Sequence, residues 1–125
     1  MVKTKNMTKV KVLDTFAGAG GFSLGFHLAG AEIIGAIEVD SWATETFQYN
    51  HPESLVIKRD ISTLSDEEIL EMFGNNKPDI ILGGPPCQGF SVANRNNGDH
   101  KDPRNSLFEE FLRVVRELYP MIMIK

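Results

Sequence analysis

A single cysteine, Cys87, stands in the 125 residues, which excludes an internal disulfide framework. The sequence also lacks a CxxC pair or a His/Cys cluster, so no metal site is expected and a reducing, cytoplasmic setting is. No apolar run is long enough to span a bilayer, and Met1-Val2-Lys3-Thr4-Lys5-Asn6-Met7 lacks the apolar core of a signal peptide. A soluble chain with no membrane partner is the expectation. Positive charge is short too: 13 Lys and Arg against 17 Asp and Glu leave a net charge of -4. Composition alone therefore does not point to nucleic acid, although Lys3, Lys5, Lys9 and Lys11 make the first strand and its lead-in basic. Repeats, low-complexity tracts and linkers are absent. What is present, 42% hydrophobic residues including 9% aromatic ones, suffices for the core of about one domain.

Short apolar strands alternate with amphipathic helices, the pattern of βαβ units. Val10 to Thr15 reads as a strand that runs into Phe16-Ala17-Gly18-Ala19-Gly20-Gly21, followed by a helix over about residues 22 to 29 that Gly30 ends. Ile33 to Ile37 is a second strand, closed by Glu38, Val39 and Asp40. Ser41 is expected to cap the next helix, with Trp42, Thr46 and Phe47 on one side and His51-Pro52 as its stop. Leu55 to Ile57 is a weak third strand leading to Arg59-Asp60-Ile61, and Ser65 to Glu68 is a capping box opening a helix that ends at Gly74. Asp79 to Leu82 is the fourth strand. After a polar loop over residues 92 to 102, Leu107, Phe108, Phe111, Leu112, Val115 and Leu118 recur at helical spacing, and Met121 to Ile124 is a fifth strand. The expected fold is α/β: a parallel sheet with helices on both faces, in which residues 10–14 and 79–82 are adjacent parallel strands.

Two stretches carry chemistry. In the first, Leu82-Gly83-Gly84-Pro85-Pro86-Cys87-Gln88-Gly89-Phe90-Ser91, the glycines end a buried strand and the prolines fix two φ angles. Cys87 is thereby expected at the carboxyl end of a strand, where open α/β sheets bind ligands. A lone cysteine is usually a small buried hydrophobe; one flanked by prolines, Gln88 and Gly89 has left the apolar run. The second stretch is the glycine loop between the first strand and helix, where the backbone can approach a ligand and free amides are offered. Its spacing, Gly18-x-Gly20-Gly21, does not match the dinucleotide fingerprint, and no basic residue lies in it for phosphates, so an adenosyl ligand without phosphates fits better. Glu38, 17 residues after Gly21 at the end of the second strand, is placed to accept hydrogen bonds from ribose hydroxyls. Asp60 is the natural partner of an adenine amino group, with a capping or surface role as the alternative.

These residues resemble the cytosine-C5 DNA methyltransferases. Asp14-Thr15-Phe16-Ala17-Gly18-Ala19-Gly20-Gly21-Phe22 is similar to that family's cofactor loop, with Thr15 where leucine is usual. Glu38-Val39-Asp40 is similar to its ribose-binding segment and Arg59-Asp60-Ile61 to its adenine-binding segment. Gly84-Pro85-Pro86-Cys87-Gln88-Gly89-Phe90-Ser91 is similar to its nucleophile motif, and Asp102-Pro103-Arg104-Asn105-Ser106-Leu107-Phe108 to the segment closing its catalytic loop. The resemblance implies a Rossmann-like S-adenosylmethionine-dependent methyltransferase fold, here incomplete, and a restriction-modification context. It implies further that Phe16 stacks on the adenine, that Ala17, Gly18, Gly20 and Gly21 line the methionine end, and that Glu38 holds the ribose. Val39, Asp60, Ile61, Gly84, Pro86 and Leu107 complete this half of the cofactor pocket.

The chemistry that the resemblance implies is attack of the Cys87 thiolate on cytosine C6, so that C5 can take a methyl group. The cytosine is flipped out of DNA, at an unstacking cost of a few kcal/mol that contacts from the loop over residues 88–102 offset. Arg95, Lys101 and Arg104 are candidates for phosphate contacts, a solvated loop being as good an account of any one of them. The family's glutamate for the cytosine ring and its target-recognition domain have no counterpart in the sequence. Residues 1–125 are therefore expected to be the amino-terminal portion of a catalytic domain, inactive alone and completed by the missing carboxy-terminal part or a complementary subunit. Two other readings stand beside this one: a relative acting on transfer RNA, and a non-catalytic cofactor-binding module.

Overall fold

The computed structural model describes residues 8–85 and 103–125. Five strands, β1 (Lys11–Thr15), β2 (Glu32–Glu38), β3 (Leu55–Lys58), β4 (Ile80–Gly83) and β5 (Ile122–Ile124), form one sheet in the order β3-β2-β1-β4-β5, every neighbouring pair parallel. Residues 12–15 of β1 pair in register with 80–83 of β4, as the apolar runs predict. The sheet is open, with β3 and β5 as its edges. Parallel neighbours need crossovers, and α1 (Gly21–Leu28), α2 (Ser41–Asn50), α3 (Asp66–Phe73) and α4 (Pro103–Leu118) provide them, with a 3₁₀ turn at Ile61–Thr63.

Because the central strands are covered on both sides, they are apolar on both faces, and successive residues fall into different clusters. Leu13, Ile37, Ile57 and Ile81 meet Ile69 and Phe73 of α3 and Phe111, Val114 and Leu118 of α4. Val12, Ala36 and Leu82 meet Phe47 of α2, with Phe26 of α1 packed alongside. Helices thus lie on both faces, α1 and α2 on one and α3 and α4 on the other.

Local signals set most boundaries. Gly30 takes φ +100 just after α1, a conformation that favours glycine, and Ser65 Oγ accepts the Glu68 N–H at 3.1 Å to open α3. The α2 expectation needs two corrections. Asp40, not Ser41, is the cap, its Oδ1 accepting the Ala43 N–H at 2.8 Å, because the side chain one residue earlier reaches the free amides of the first turn. Trp42 and Thr46 face solvent, and the buried pair is Thr44 and Phe47, since only that side of α2 meets the sheet.

Candidate functional site

The strand order reverses between β1 and β4, and ligands bind open α/β sheets in the crevice at such a point. Three segments converge at this carboxyl edge: the glycine loop after β1, the acidic end of β2, and the turn after β3. Phe16, Ile37, Glu38, Val39, Arg59, Asp60, Ile61, Gly84 and Leu107 line one cavity of about 320 Å³. Seven of the twelve residues singled out for a cofactor are among them: Phe16, Glu38, Val39, Asp60, Ile61, Gly84 and Leu107. Ala17, Gly18, Gly20 and Gly21 lie beside this lining in the adjoining loop. Pro86, Cys87 and the loop 88–102 with Arg95 and Lys101 lie outside the described residues, as does the side chain of Arg104.

The loop is shaped by backbone that only a strong context holds. Phe16 adopts φ +55 without being glycine, a conformation that costs on the order of 1–3 kcal/mol, and Gly18 follows at φ +57 and Gly20 at φ +92. Hydrogen bonds offset the strain: the Ala17 N–H donates to Ile37 O at 3.2 Å and the Gly18 N–H to Glu38 Oε1 at 2.9 Å. Glu38 Oε2 accepts the N–H groups of Val39 at 2.6 Å and Asp40 at 3.1 Å. One carboxylate therefore joins the end of β2 to the glycine loop and leaves its negative charge on the cavity wall.

Asp60 fills the capping role that was the alternative expectation for it. Its Oδ1 accepts from Ser62 N at 2.9 Å and from Ser62 Oγ at 2.7 Å, which caps the 3₁₀ turn, while the residue also lines the cavity. The Ser62 hydroxyl and amide hold the Asp60 carboxyl below its ordinary range. Arg59 is the cation of the lining, and its guanidinium is engaged by Glu68 and by Thr63 O. A polyphosphate would meet two carboxylates and an already paired arginine here; hydroxyls, an amine or a positively charged group fit the wall better.

Sequence reasoning missed what lies beneath the loop. Asp14, near the end of β1, is 3% exposed and accepts the Ser23 hydroxyl at 2.5 Å. Burial pushes its carboxyl up to about 6, with the Ser23 bond opposing and Glu38 adding to the rise. Thr15 is buried with its hydroxyl donating to Leu82 O at 2.7 Å, which fastens the end of β1 to the end of β4. That bond gives the threonine a use that leucine would not have. Among the described residues no group of three or more His, Cys, Asp or Glu side chains could hold a metal ion, and none of the helices is long and apolar enough to cross a membrane.

Comparison with known proteins gives a consistent result. The family model for C-5 cytosine-specific DNA methylase matches residues 10–124. The chain is 42% identical over 113 residues to the Type II methyltransferase M1.HphI of Haemophilus parahaemolyticus, covering 90% of this chain and 30% of that protein. It is 46% identical over 115 residues to M.DdeI of Desulfomicrobium norvegicum, covering 92% of this chain and 27% of that protein. Among solved structures, one described as a DNA modification methyltransferase encoded within a prophage (E. coli) superposes with a TM-score of 0.74 at 42% identity, over 90% of this chain and 30% of the other. The chain thus spans under a third of the length of these relatives.

Proposed function

Because the chain belongs to the C-5 cytosine-specific DNA methylase family, we propose that it forms the S-adenosylmethionine-binding and nucleophile portion of a DNA (cytosine-5)-methyltransferase, acting in the cytoplasm in a restriction-modification system. The observation that carries this reading is the cavity at the β1/β4 switch point, whose acidic wall gathers seven of the residues expected to hold that cofactor. Glu38 would accept from the ribose, Asp60 and Ile61 would meet the adenine, Phe16 would stack on it, and Ala17, Gly18, Gly20, Gly21, Gly84, Pro86 and Leu107 would complete the pocket with Val39. A cavity of about 320 Å³ is at the small end for such ligands, in keeping with a pocket finished by further protein.

When bound, S-adenosylmethionine supplies an electrophilic methyl group. The chain's own part is to make cytosine C5 a nucleophile. The Cys87 thiolate adds to C6, which places electron density on C5, and later loss of the C5 proton re-forms the C5–C6 double bond and expels the thiolate. Flipping the cytosine out of the duplex costs a few kcal/mol, which contacts from the loop 88–102 together with contacts outside this chain would offset. DNA turnover accordingly needs the remaining part of a longer protein or a complementary subunit.

Calorimetry tests the cofactor assignment: Glu38→Ala should weaken S-adenosylmethionine binding by about 1–3 kcal/mol, the penalty for unpaired buried polar groups. Unchanged affinity would remove Glu38 from the site. For the nucleophile, the chain is supplemented with the remainder of a homologous methyltransferase and offered 5-fluorocytosine DNA and RNA side by side. A covalent adduct should form on DNA and vanish in Cys87→Ser. An adduct that survives the substitution would move the chemistry to another residue, and one confined to RNA would favour the RNA-modifying reading.

A further inference from the structure

The glycine loop rests on α2. Gly20 stands at φ +92, and a Cβ there would lie 2.7 Å from Phe47 Cδ2 and 3.3 Å from His51 Cδ2, so the backbone is pressed onto two rings one helical turn apart. His51, which ends α2, is 5% exposed; its ring centroid lies 4.6 Å from that of Phe47 and 6.0 Å from that of His27. The ring packs against the Gly20 backbone, and its Nε2 is buried without a partner. A neutral imidazole tolerates one bare nitrogen, whereas the cation carries hydrogens on both and would bury a charged N–H with no acceptor.

We propose, building on the cofactor reading above, that His51 is a positioning residue: its neutral ring, seated between Phe47 and Gly20, holds the glycine loop in the shape that receives S-adenosylmethionine, and protonation releases it. Burial lowers the affinity of this ring for a proton, the Gly20 backbone opposes that, and His27 adds to the lowering. The charged and titratable groups around it are His27 of α1, Glu32 of β2, Glu53 of the α2–β3 connection and Lys9 ahead of β1, which line a second cavity with it. Asp14 also titrates beneath the loop, near pH 6, and needs its own control.

The test measures S-adenosylmethionine affinity of the full chain from pH 7.5 to 5.5, and follows the Gly18 and Gly20 amide resonances of the ligand-free chain over the same range. Wild-type affinity should fall as the pH drops, by less than the roughly tenfold that an imidazole of ordinary pKa would give over this range, because burial lowers the proton affinity of the ring. His51→Phe should bind more weakly at pH 7.5 and show no such fall. His51→Asn keeps a polar group near the Nδ1 position, so it should recover most of the pH 7.5 affinity, still without the fall. Asp14→Asn should keep the wild-type pH dependence. His51→Phe with the wild-type affinity and profile would overturn the proposal, as would amide resonances whose titration survives loss of the imidazole. Wild-type protein that binds no S-adenosylmethionine at pH 7.5 would instead sink the cofactor reading, and the amide titration would still decide the role of His51.

Discussion

Among the described residues, twelve buried apolar side chains, Phe73 and Phe111 among them, lie between the sheet and helices α3 and α4, whereas six lie between the sheet and α1 and α2, of which Ala17 and Ala36 are small. The deficit on the second side is filled by polar groups: Asp14, Ser23, Thr44 and His51 are all buried there or at its margin. Apolar burial favours folding in proportion to area, and a buried carboxylate opposes it. The first layer therefore stabilises the domain, and the second gives up stability to shape the glycine loop above it. Equal truncations in the two layers should then have unequal consequences for ligand binding.

Phe73 and Phe47 are the sharpest pair for that comparison, since both are fully buried. Phe73→Ala should cost about 3–5 kcal/mol in urea unfolding, because its ring fills the space above Gly35 and leaves a cavity. The fraction that stays folded should still bind S-adenosylmethionine nearly as well as wild type. Phe47→Ala should lose comparable stability and also about tenfold or more in affinity, because Gly20 loses its support. Equal affinities for the two variants, measured on folded protein, would erase the distinction between the layers.

Asp14 should give the next largest effect, and its sign is set by pH. The folded-state value of about 6 lies above the ordinary 3.8, so the native protein holds a proton that the unfolded chain has released. Stability from this group is therefore full at low pH, declines as the pH rises from about 4 through 6, and ends lower by about 3 kcal/mol. Asp14→Asn, which can still accept from Ser23, removes that decline. Relative to wild type it should gain stability at pH 7.5 and gain little at pH 4.5. A variant equally destabilised at both values would mean that the ionised carboxylate supports the fold through its bond to Ser23.

The apolar alternation was enough to read the parallel sheet, the pairing of β1 with β4 and the two-sided helix cover, because buried central strands admit little else. Glycine and proline placement located the carboxyl-edge loops, and Glu38 and Asp60 were legible as acids at strand ends that now share one cavity. Long-range polar pairs were not legible. Asp14 reads as one more strand residue until Ser23 is seen against it, and His51 reads as a helix stop although its ring supports Gly20 from 31 positions along the chain. Trp42 misled for a related reason: periodicity marks a side of α2, and only the sheet decides which side is covered.

The smallest expected effect lies at the rim of the apolar layer, where Arg113 of α4 is the polar exception. Its guanidinium donates to Asp66 Oδ1 at 2.7 Å, to Glu110 Oε2 at 2.6 Å and to Ile61 O at 3.0 Å. It thereby joins α4 to the start of α3 and to the 3₁₀ turn that contributes Ile61 to the cavity. With the Arg113 side chain 21% and the Asp66 side chain 46% exposed, solvent screens part of the attraction. Arg113→Met keeps the apolar stem and should cost about 1–2 kcal/mol, chiefly from the carbonyl and carboxylates left without a donor. Arg113→Lys should restore little of this, because one ammonium cannot span three acceptors in different directions. Full rescue by lysine, abolished by high salt, would show that charge alone acts at this position and that the 3₁₀ turn needs no fork to hold it. Retained S-adenosylmethionine affinity in Arg113→Met would leave the cavity's shape to the polar layer beneath the glycine loop, and a tenfold loss would extend that control to the apolar side.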